Sequence, residues 1–183
     1  MALKIRPLLV SCFFLILLSC SSSKPKIPYM VMAHGFDQEK IEKIAFITDN
    51  SIVRTKRSVE DVFTASLLSK KYKVASRSDV DRILQEMKFQ QSGLTDADAR
   101  KIGKILNVPA VLIGSVPKSQ EKVFRNGSKI KYVEIQFSAR LIDVESSEVL
   151  WISSLEGYGD RQNAHSLVQK LAASVADTFP SRF

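Results

Sequence analysis

The sequence predicts an α/β protein with a mixed sheet and packed helices, in the order β-α-β-α-α-β, then a long antiparallel hairpin and a C-terminal helix. Three observations support this prediction. Short, uninterrupted apolar runs, typical of strands covered on both faces, alternate with segments of helical period. A longer segment around residue 135 alternates polar and apolar side chains, as an antiparallel strand does. The last segment carries an apolar stripe at helical spacing, so helices and strands both contribute to one core.

The first half of the domain is predicted to hold a buried strand at 43–48, a brief second strand at 72–75 and a strand covered on both faces at 110–116. Between these runs lie three helical segments, which open with Ser58, Ser78 and Thr95. Each of these residues is followed three positions later by an aspartate. A hydroxyl and an acid at that spacing resemble a capping box, so we expect a helix to begin at each of the three.

The second half is predicted to be antiparallel, with strands at 129–144 and 148–156. A slip of the alternation at Tyr132-Val133 predicts a β-bulge there. The triplet Asn126-Gly127-Ser128 predicts the turn before the first of these strands. The triplet also matches a glycosylation acceptor, but we prefer the interpretation as a turn. Trp151 is interpreted as a core or edge-packing residue rather than a partner-binding hot spot.

The closing helix is the clearest element of the sequence. Asn163 is the expected cap, and the apolar stripe comprises Ala164, Leu167, Val168, Leu171, Ala172, Val175 and Phe179.

The N-terminus has the layout of an export signal. Lys4 and Arg6 precede an apolar run at 8–18, which is shorter than the ~20 residues that a membrane-spanning helix needs. Ser19 and Cys20 follow this run. We therefore predict a bacterial lipoprotein signal, cleaved between Ser19 and Cys20, with Cys20 acylated by palmitate-type chains. The alternative is an ordinary signal peptide that contains a cysteine.

Three regions follow from this prediction: a signal peptide at 1–19, an acylated cysteine with tether and lead-in at 20–42, and an α/β domain at 43–183. The start of the tether is polar and contains two prolines, as flexible linkers do. Ser21, directly after the cysteine, predicts forwarding to the outer membrane. We expect the domain to be lipid-anchored on the periplasmic face of that membrane.

Charge and cysteine content restrict the function further. The signal carries Lys4 and Arg6 and no acid, so its removal lowers the formal net charge from +8 to +6. A basic surface suits nucleic acid, anionic lipid or an anionic envelope polymer, and the export signal argues against nucleic acid. The densest basic stretch, 54–57, lies beside Glu60 and Asp61, which favours a solvated surface over a binding patch. Cys20 is the only cysteine after the cleavage site, so no disulfide is expected.

The sequence contains no catalytic, cofactor or metal motif that we recognise, so we predict neither an enzyme nor a cofactor. The two histidines, His34 and His165, lack partners at metal-ligand spacing, and His165 is interpreted as a surface residue. The glycines of 157–160 are expected to form a turn. Four aspartates are interpreted as first-turn residues that interact with the helix macrodipole: Asp79, Asp81, Asp96 and Asp98.

Four blocks, in this order, resemble the curli-secretion (CsgG-like) lipoproteins. Residues 74–86 are similar to that family's strand, arginine and helix that ends in Leu-x-Glu, and residues 89–96 to its linker between two helices. Residues 101–116 are similar to its Lys-Leu-Gly helix and apolar strand ending in Gly-Ser. Residues 139–151 match its Arg-Leu-x-Asp-Val hairpin. Together these blocks cover most of 44–151.

The resemblance implies one of two non-enzymatic roles. Some members are oligomeric outer-membrane secretion channels; others, including lipoprotein activators of peptidoglycan synthases, are periplasmic domains on a tether. The channel members are longer and insert two amphipathic hairpins each, whereas the segment before Asn126 is expected to be too short and too charged for this. We therefore predict a tethered activator or assembly factor that binds an envelope protein, either a peptidoglycan synthase or a secretion component.

Two alternatives stay open. The first is an accessory or oligomeric subunit of a curli-type secretion complex, in which case the protein forms a homo-oligomer. The second is an envelope enzyme, which the absence of a catalytic constellation in the sequence disfavours.

Overall fold

The structure is a computed structural model that describes residues 26–49, 55–87, 94–126 and 128–183. The predicted signal peptide, its cleavage site at Ser19 and Cys20, and most of the tether lie outside the described residues. So does most of the predicted helix linker at 89–96, together with Gly127 of the predicted turn.

A six-stranded mixed sheet forms the centre of the domain, with strand order β1-β6-β5-β4-β2-β3. Strands β2, β3 and β4 are parallel to one another, and the remaining neighbours are antiparallel. The strands are β1 Tyr29–Met32, β2 Lys43–Thr48, β3 Lys73–Val74, β4 Ala110–Asn126, β5 Ser128–Asp143 and β6 Val149–Asp160. The predicted mixed α/β sheet and its C-terminal helix are confirmed.

Four helices are described: α1 Lys56–Ser69, α2 Arg77–Glu86, α3 Asp96–Leu106 and α4 Ala164–Asp177. Helices α1 and α4 pack on one face of the sheet, and α2 and α3 pack on the other. This places three layers around β2 and β4, so both faces of these strands are buried, as their uninterrupted apolar runs predict.

The larger core, between the sheet and helices α1 and α4, is rich in aromatic rings. Phe46 stacks on Phe63 with ring centroids 4.5 Å apart. Trp151 is fully buried and meets Phe179 edge to face at 4.9 Å. The interpretation of Trp151 as a core residue is therefore confirmed, and so is the apolar stripe that leads to Phe179.

The predicted helix starts are right for α3 and wrong for α1 and α2. At α3, Thr95 and Asp98 form a complete capping box, with the Asp98 amide donating to Thr95 Oγ1 at 3.2 Å. Helix α1 instead begins at Lys56 after Thr55, and α2 begins at Arg77 after Ser76. Ser58 and Ser78 consequently lie inside the first turns. The aspartates that follow them serve in ion pairs between the helices instead of in caps, as described below.

Two strands are longer than predicted. Strand β4 continues to Asn126, paired with β5, so the expectation of a short segment before Asn126 is wrong. Strand β6 continues to Asp160 through Gly157, which was expected in a turn. The reason is close packing: a Cβ on Gly157 would lie 2.9 Å from Leu167 Cδ1, so glycine lets α4 approach the strand.

The predicted β-bulge is misplaced. The pairing of β5 runs without interruption through Tyr132 and Val133, whereas the register shift between β4 and β5 falls at Ser115/Lys118. Tyr132 lies on the face of Glu134 and Gln136, where it is partly exposed. An aromatic residue with a polar end tolerates such a position, so the slip in hydropathy does not require an extra residue.

The start of the last helix also differs from the prediction. Asn163 occupies the position before α4, yet its side chain makes no capping bond. A short 3-10 turn, Arg161–Asn163, precedes the helix instead, and the Asp160 carboxylate accepts from the Gln162 amide at 3.2 Å.

Candidate interaction surfaces

The structure does not assemble the sequence candidates into a metal or catalytic site. His34 and His165 are both exposed, in a turn after β1 and in the first turn of α4, respectively. Among the described residues, no three His, Cys, Asp or Glu side chains are grouped so that they could hold a metal ion. Within the same residues, every helix is too short or too polar to cross a bilayer.

The four candidate aspartates all contact structural partners. Asp98 belongs to the capping box, and Asp96 Oδ1 accepts from Arg140 Nε of β5 at 3.1 Å. The remaining two make ion pairs: Asp81 with Lys56 at 2.8 Å and Asp79 with Arg82 at 3.7 Å. These contacts give all four aspartates a structural role, but the predicted first-turn position is wrong for Asp81, because α2 begins at Arg77 and its first turn holds only Asp79.

A cluster of charged side chains surrounds Glu60 of α1. This carboxylate is only 6% exposed, and it accepts from the Thr48 hydroxyl at 3.3 Å. Arg77 Nε of α2 lies 2.9 Å from Glu60 Oε2 as an ion pair, and Lys56 Nζ lies 3.7 Å from Oε1. Burial raises the pKa of Glu60, although the two cations oppose this shift.

The Glu60 cluster connects α1 and α2, which lie on opposite faces of the sheet. Arg77 also pairs with Asp61, and this hydrogen bond raises the pKa of Arg77. Lys56 connects Glu60 to Asp81, so positive and negative groups alternate through the cluster. Because each cation is balanced by acids of the same chain, the cluster is best explained as a clamp between the helices.

A second feature is the free end of the β4–β5 hairpin. Strand β2 pairs with β4 only as far as Gly114, and β6 pairs with β5 only from Tyr132. Beyond the row that joins Lys122, Tyr132 and Asp160, the two strands continue alone in the described part of the chain. We call residues 122–131 the arm.

The arm is strongly basic. It contains four Lys or Arg residues and no acid: Lys122, Arg125, Lys129 and Lys131. Arg125 and Lys129 occupy directly paired positions of the two strands. The predicted functional residues do not include this segment, although its charge is visible in the sequence.

The third feature is β1, an edge strand that the sequence patterns did not predict. Its four residues are all exposed and uncharged; Tyr29, for example, is 69% exposed and Met32 46%. Beside it, Lys26 Nζ lies 4.6 Å from the ring centroid of Tyr158, so the chain before β1 lies along β6. A five-residue apolar run between Pro28 and His34 is too short a signal to separate a strand from a linker.

These observations define the class of the protein: a three-layer mixed α/β domain with a basic β arm, an open sheet edge and no catalytic constellation among the described residues. The family follows from the sequence. The model of the family described as "Curli production assembly/transport component CsgG" matches residues 20–173, and the chain belongs to this family. The resemblance of the four sequence blocks is thereby confirmed. No curated protein matches the sequence significantly.

Of three similar solved structures, the first shares the fold of this chain. The lipoprotein GNA1162 from Neisseria meningitidis is 18% identical, with a TM-score of 0.52 over 72% of this chain and 92% of that one. The PelC dodecamer from Paraburkholderia phytofirmans is 15% identical, with a TM-score of 0.49 over 85% of this chain and 100% of that one. The LpoB C-terminal domain from Salmonella enterica is 15% identical, with a TM-score of 0.40 over 66% and 83%.

Proposed function

We propose that the protein is a non-catalytic lipoprotein, anchored to the outer membrane through Cys20 and facing the periplasm, that binds another envelope protein as an activator or assembly factor. Membership of the CsgG family supports an envelope or secretion-associated role. The lipoprotein-type signal that ends at Ser19 and Cys20 supports the anchor.

The observation that carries the proposal is the arm. It leaves the sheet as two strands, so it adds nothing to the core that the described helices cover. Its four basic residues and its Arg125/Lys129 pair suit an acidic surface. We therefore assign to the arm the contact with an acidic face of the partner. A peptidoglycan synthase and a secretion component are the two partner classes that the family resemblance suggests.

The test is a cross-linked pull-down of the full-length protein from intact envelopes, followed by mass spectrometry. The arm variant R125E/K129E is compared with wild type and with K101E/K170E, which makes the same charge change at exposed positions of α3 and α4. We expect the arm variant to lose the partner, and the control to retain it.

Two outcomes would contradict this assignment. Retention of the same envelope protein by both variants would show that the arm is not the contact. Recovery of no protein by the wild type, together with arm-dependent binding to vesicles of anionic lipid, would identify a membrane surface as the target instead.

A second candidate function is an accessory or oligomeric subunit of a curli-type secretion complex. The length of β4 favours it, because this strand continues to Asn126 and removes the expectation that the hairpin is too short. Recovery of only the protein itself and secretion components in the pull-down would support this candidate over the activator role.

A further inference from the structure

We propose that β1 is a self-association site, at which two copies of this chain pair antiparallel about a twofold axis through Val31. Pairing of this kind would join two six-stranded sheets into one continuous sheet. It is distinct from the contact assigned to the arm, which lies at the free end of β4 and β5.

The exposure of β1 is the first argument. It is the outermost strand on its side of the sheet, and no strand of the described residues pairs with its outer edge. Exposed sheet edges are normally protected by charges, bulges or covering elements, because their free backbone groups template further pairing. Strand β1 carries no charge and no bulge, and Met30 and Val31 are 40% and 43% exposed.

The second argument is the direction of the backbone hydrogen bonds. The Ala33 amide donates to the Leu150 carbonyl of β6 at 2.8 Å, which makes Ala33 and Leu150 a hydrogen-bonded pair. Hydrogen-bonded and non-hydrogen-bonded pairs alternate along an antiparallel ladder. Tyr29 and Val31 are therefore bonded to β6, whereas the N–H and C=O groups of Met30 and Met32 point outward.

These outward groups are complementary to a second copy of themselves. When two β1 strands run antiparallel with Val31 opposite Val31, Met30 of each copy lies opposite Met32 of the other copy. Both Met30/Met32 pairs then have donors and acceptors in position for mutual hydrogen bonds, and the central Val31 pair is of the non-hydrogen-bonded type. Since β1 is uncharged, no like charges are opposed in this register.

The size of the contact determines where pairing occurs. A four-residue strand cannot by itself bury the ~1,200 Å² that small stable interfaces bury. We therefore expect little dimer in dilute solution and substantial dimer on a membrane, where tethering raises the effective concentration. This expectation, unlike the register, rests on the proposed anchor at Cys20.

Disulfide trapping in the full-length protein in intact envelopes tests the register. Opposed Val31 residues would have Cα atoms about 4.5 Å apart, within the range of a disulfide. V31C should therefore form a covalent dimer on mild oxidation. Y29C is the matched control because it lies on the same strand and the same face, yet in this register it faces Ala33 of the other copy, which places the two introduced cysteines about 13 Å apart.

The outcomes are distinguishable. Equal or stronger dimerisation of Y29C than of V31C would exclude the twofold register. The absence of a dimer with both variants would overturn self-association, and so would a disulfide between V31C and a different protein. An acylated Cys20 has no free thiol, so dimerisation of the wild type through Cys20 would contradict the proposed anchor but not the pairing of β1. V31C would then be compared with Y29C in the C20A background.

A backbone variant separates pairing from simple proximity. M30P removes an outward N–H without removing a bond to β6, and M30A keeps that N–H. In the V31C background we expect M30P to lower the dimer yield about tenfold and M30A to leave it within about twofold. An unchanged melting temperature shows that M30P is folded, and equal dimer yields from the folded M30P and M30A variants would contradict the proposed hydrogen bonds.

Discussion

Gly103 of α3 and Val144, directly after β5, lie so close that a Cβ on Gly103 would overlap Cγ2 of Val144. A second valine, Val111 of β4, lies 3.0 Å from the same position. Both valines belong to the core between the sheet and helices α2 and α3. The absence of a side chain at Gly103 therefore sets how closely α3 packs on the sheet.

We expect G103A to destabilise the protein, although alanine favours a helix by about 1 kcal/mol over glycine. Valine side chains are stiff at χ1, so overpacking against Val144 costs about 1–3 kcal/mol and outweighs the gain. Denaturant unfolding measures the net loss, expected near 1 kcal/mol. In the V144A background the same change should become neutral or stabilising; an equal loss in both backgrounds would contradict the proposed contact.

Phe179 follows α4 and packs edge to face on both Trp151 and Tyr72, with ring centroids 4.9 and 5.3 Å away. We expect F179A to lower the free energy of unfolding by about 3–5 kcal/mol, because it leaves a cavity between two buried aromatic rings. Phe183, which is 92% exposed, provides the control. F183A should change stability by less than about 0.5 kcal/mol; a similar loss in both variants would show that the tail is not packed as described.

Glu60 should make the stability of the protein fall as the pH rises. Burial raises its pKa in the folded state, so the folded protein holds this proton at a pH at which the unfolded chain, with a glutamate pKa of about 4.3, releases it. The contribution of neutral Glu60 is complete below that pH and is lost as the pH rises through the folded pKa. Lys56 and Arg77 limit the effect, and Asp81 increases it.

The measurement compares wild type with E60Q in thermal unfolding between pH 4 and pH 8. Glutamine has no proton to lose, so the stability of E60Q relative to wild type should increase with pH above about 4.3. Titrating groups that do not interact with Glu60 cancel in this difference. A difference that is constant, or that decreases with pH, would show that Glu60 is not held as a desolvated carboxyl.

Cys20 is predicted to carry the lipid anchor. We expect C20A to remain unlipidated and to shift from the membrane fraction to the soluble fraction, because each buried CH₂ of an acyl chain contributes about 0.8 kcal/mol to membrane binding. Fractionation with immunoblotting, together with the mass of the N-terminal peptide, measures both effects. If C20A stayed with the membrane, a different anchor would have to be sought.

The sequence predicts those elements that carry a clear local signal, such as an uninterrupted apolar run, an apolar stripe at helical spacing or a capping box. The parallel strands at 43–48 and 110–116, the stripe of α4 and the capping box of Thr95 are all present in the structure. The predicted starts of α1 and α2 are wrong. Asp61 and Asp81 could each either cap a helix locally or pair with a cation of another helix, and the sequence does not decide between the two. Only the fold brings Arg77 and Lys56 within reach, and these charged partners replace the local capping bonds.

The sequence by itself determined the α/β class, the family blocks and the predicted lipoprotein signal, since these depend on local order along the chain. Tertiary structure alone decided that 157–160 is strand, because the glycines there admit Leu167 and Leu171 of the next helix, α4, which folds back onto the strand. It also decided that β1 forms one edge of the sheet and that the arm extends past the ends of β2 and β6. Pairing between strands is a relation between separate segments, and no pattern within one segment encodes it.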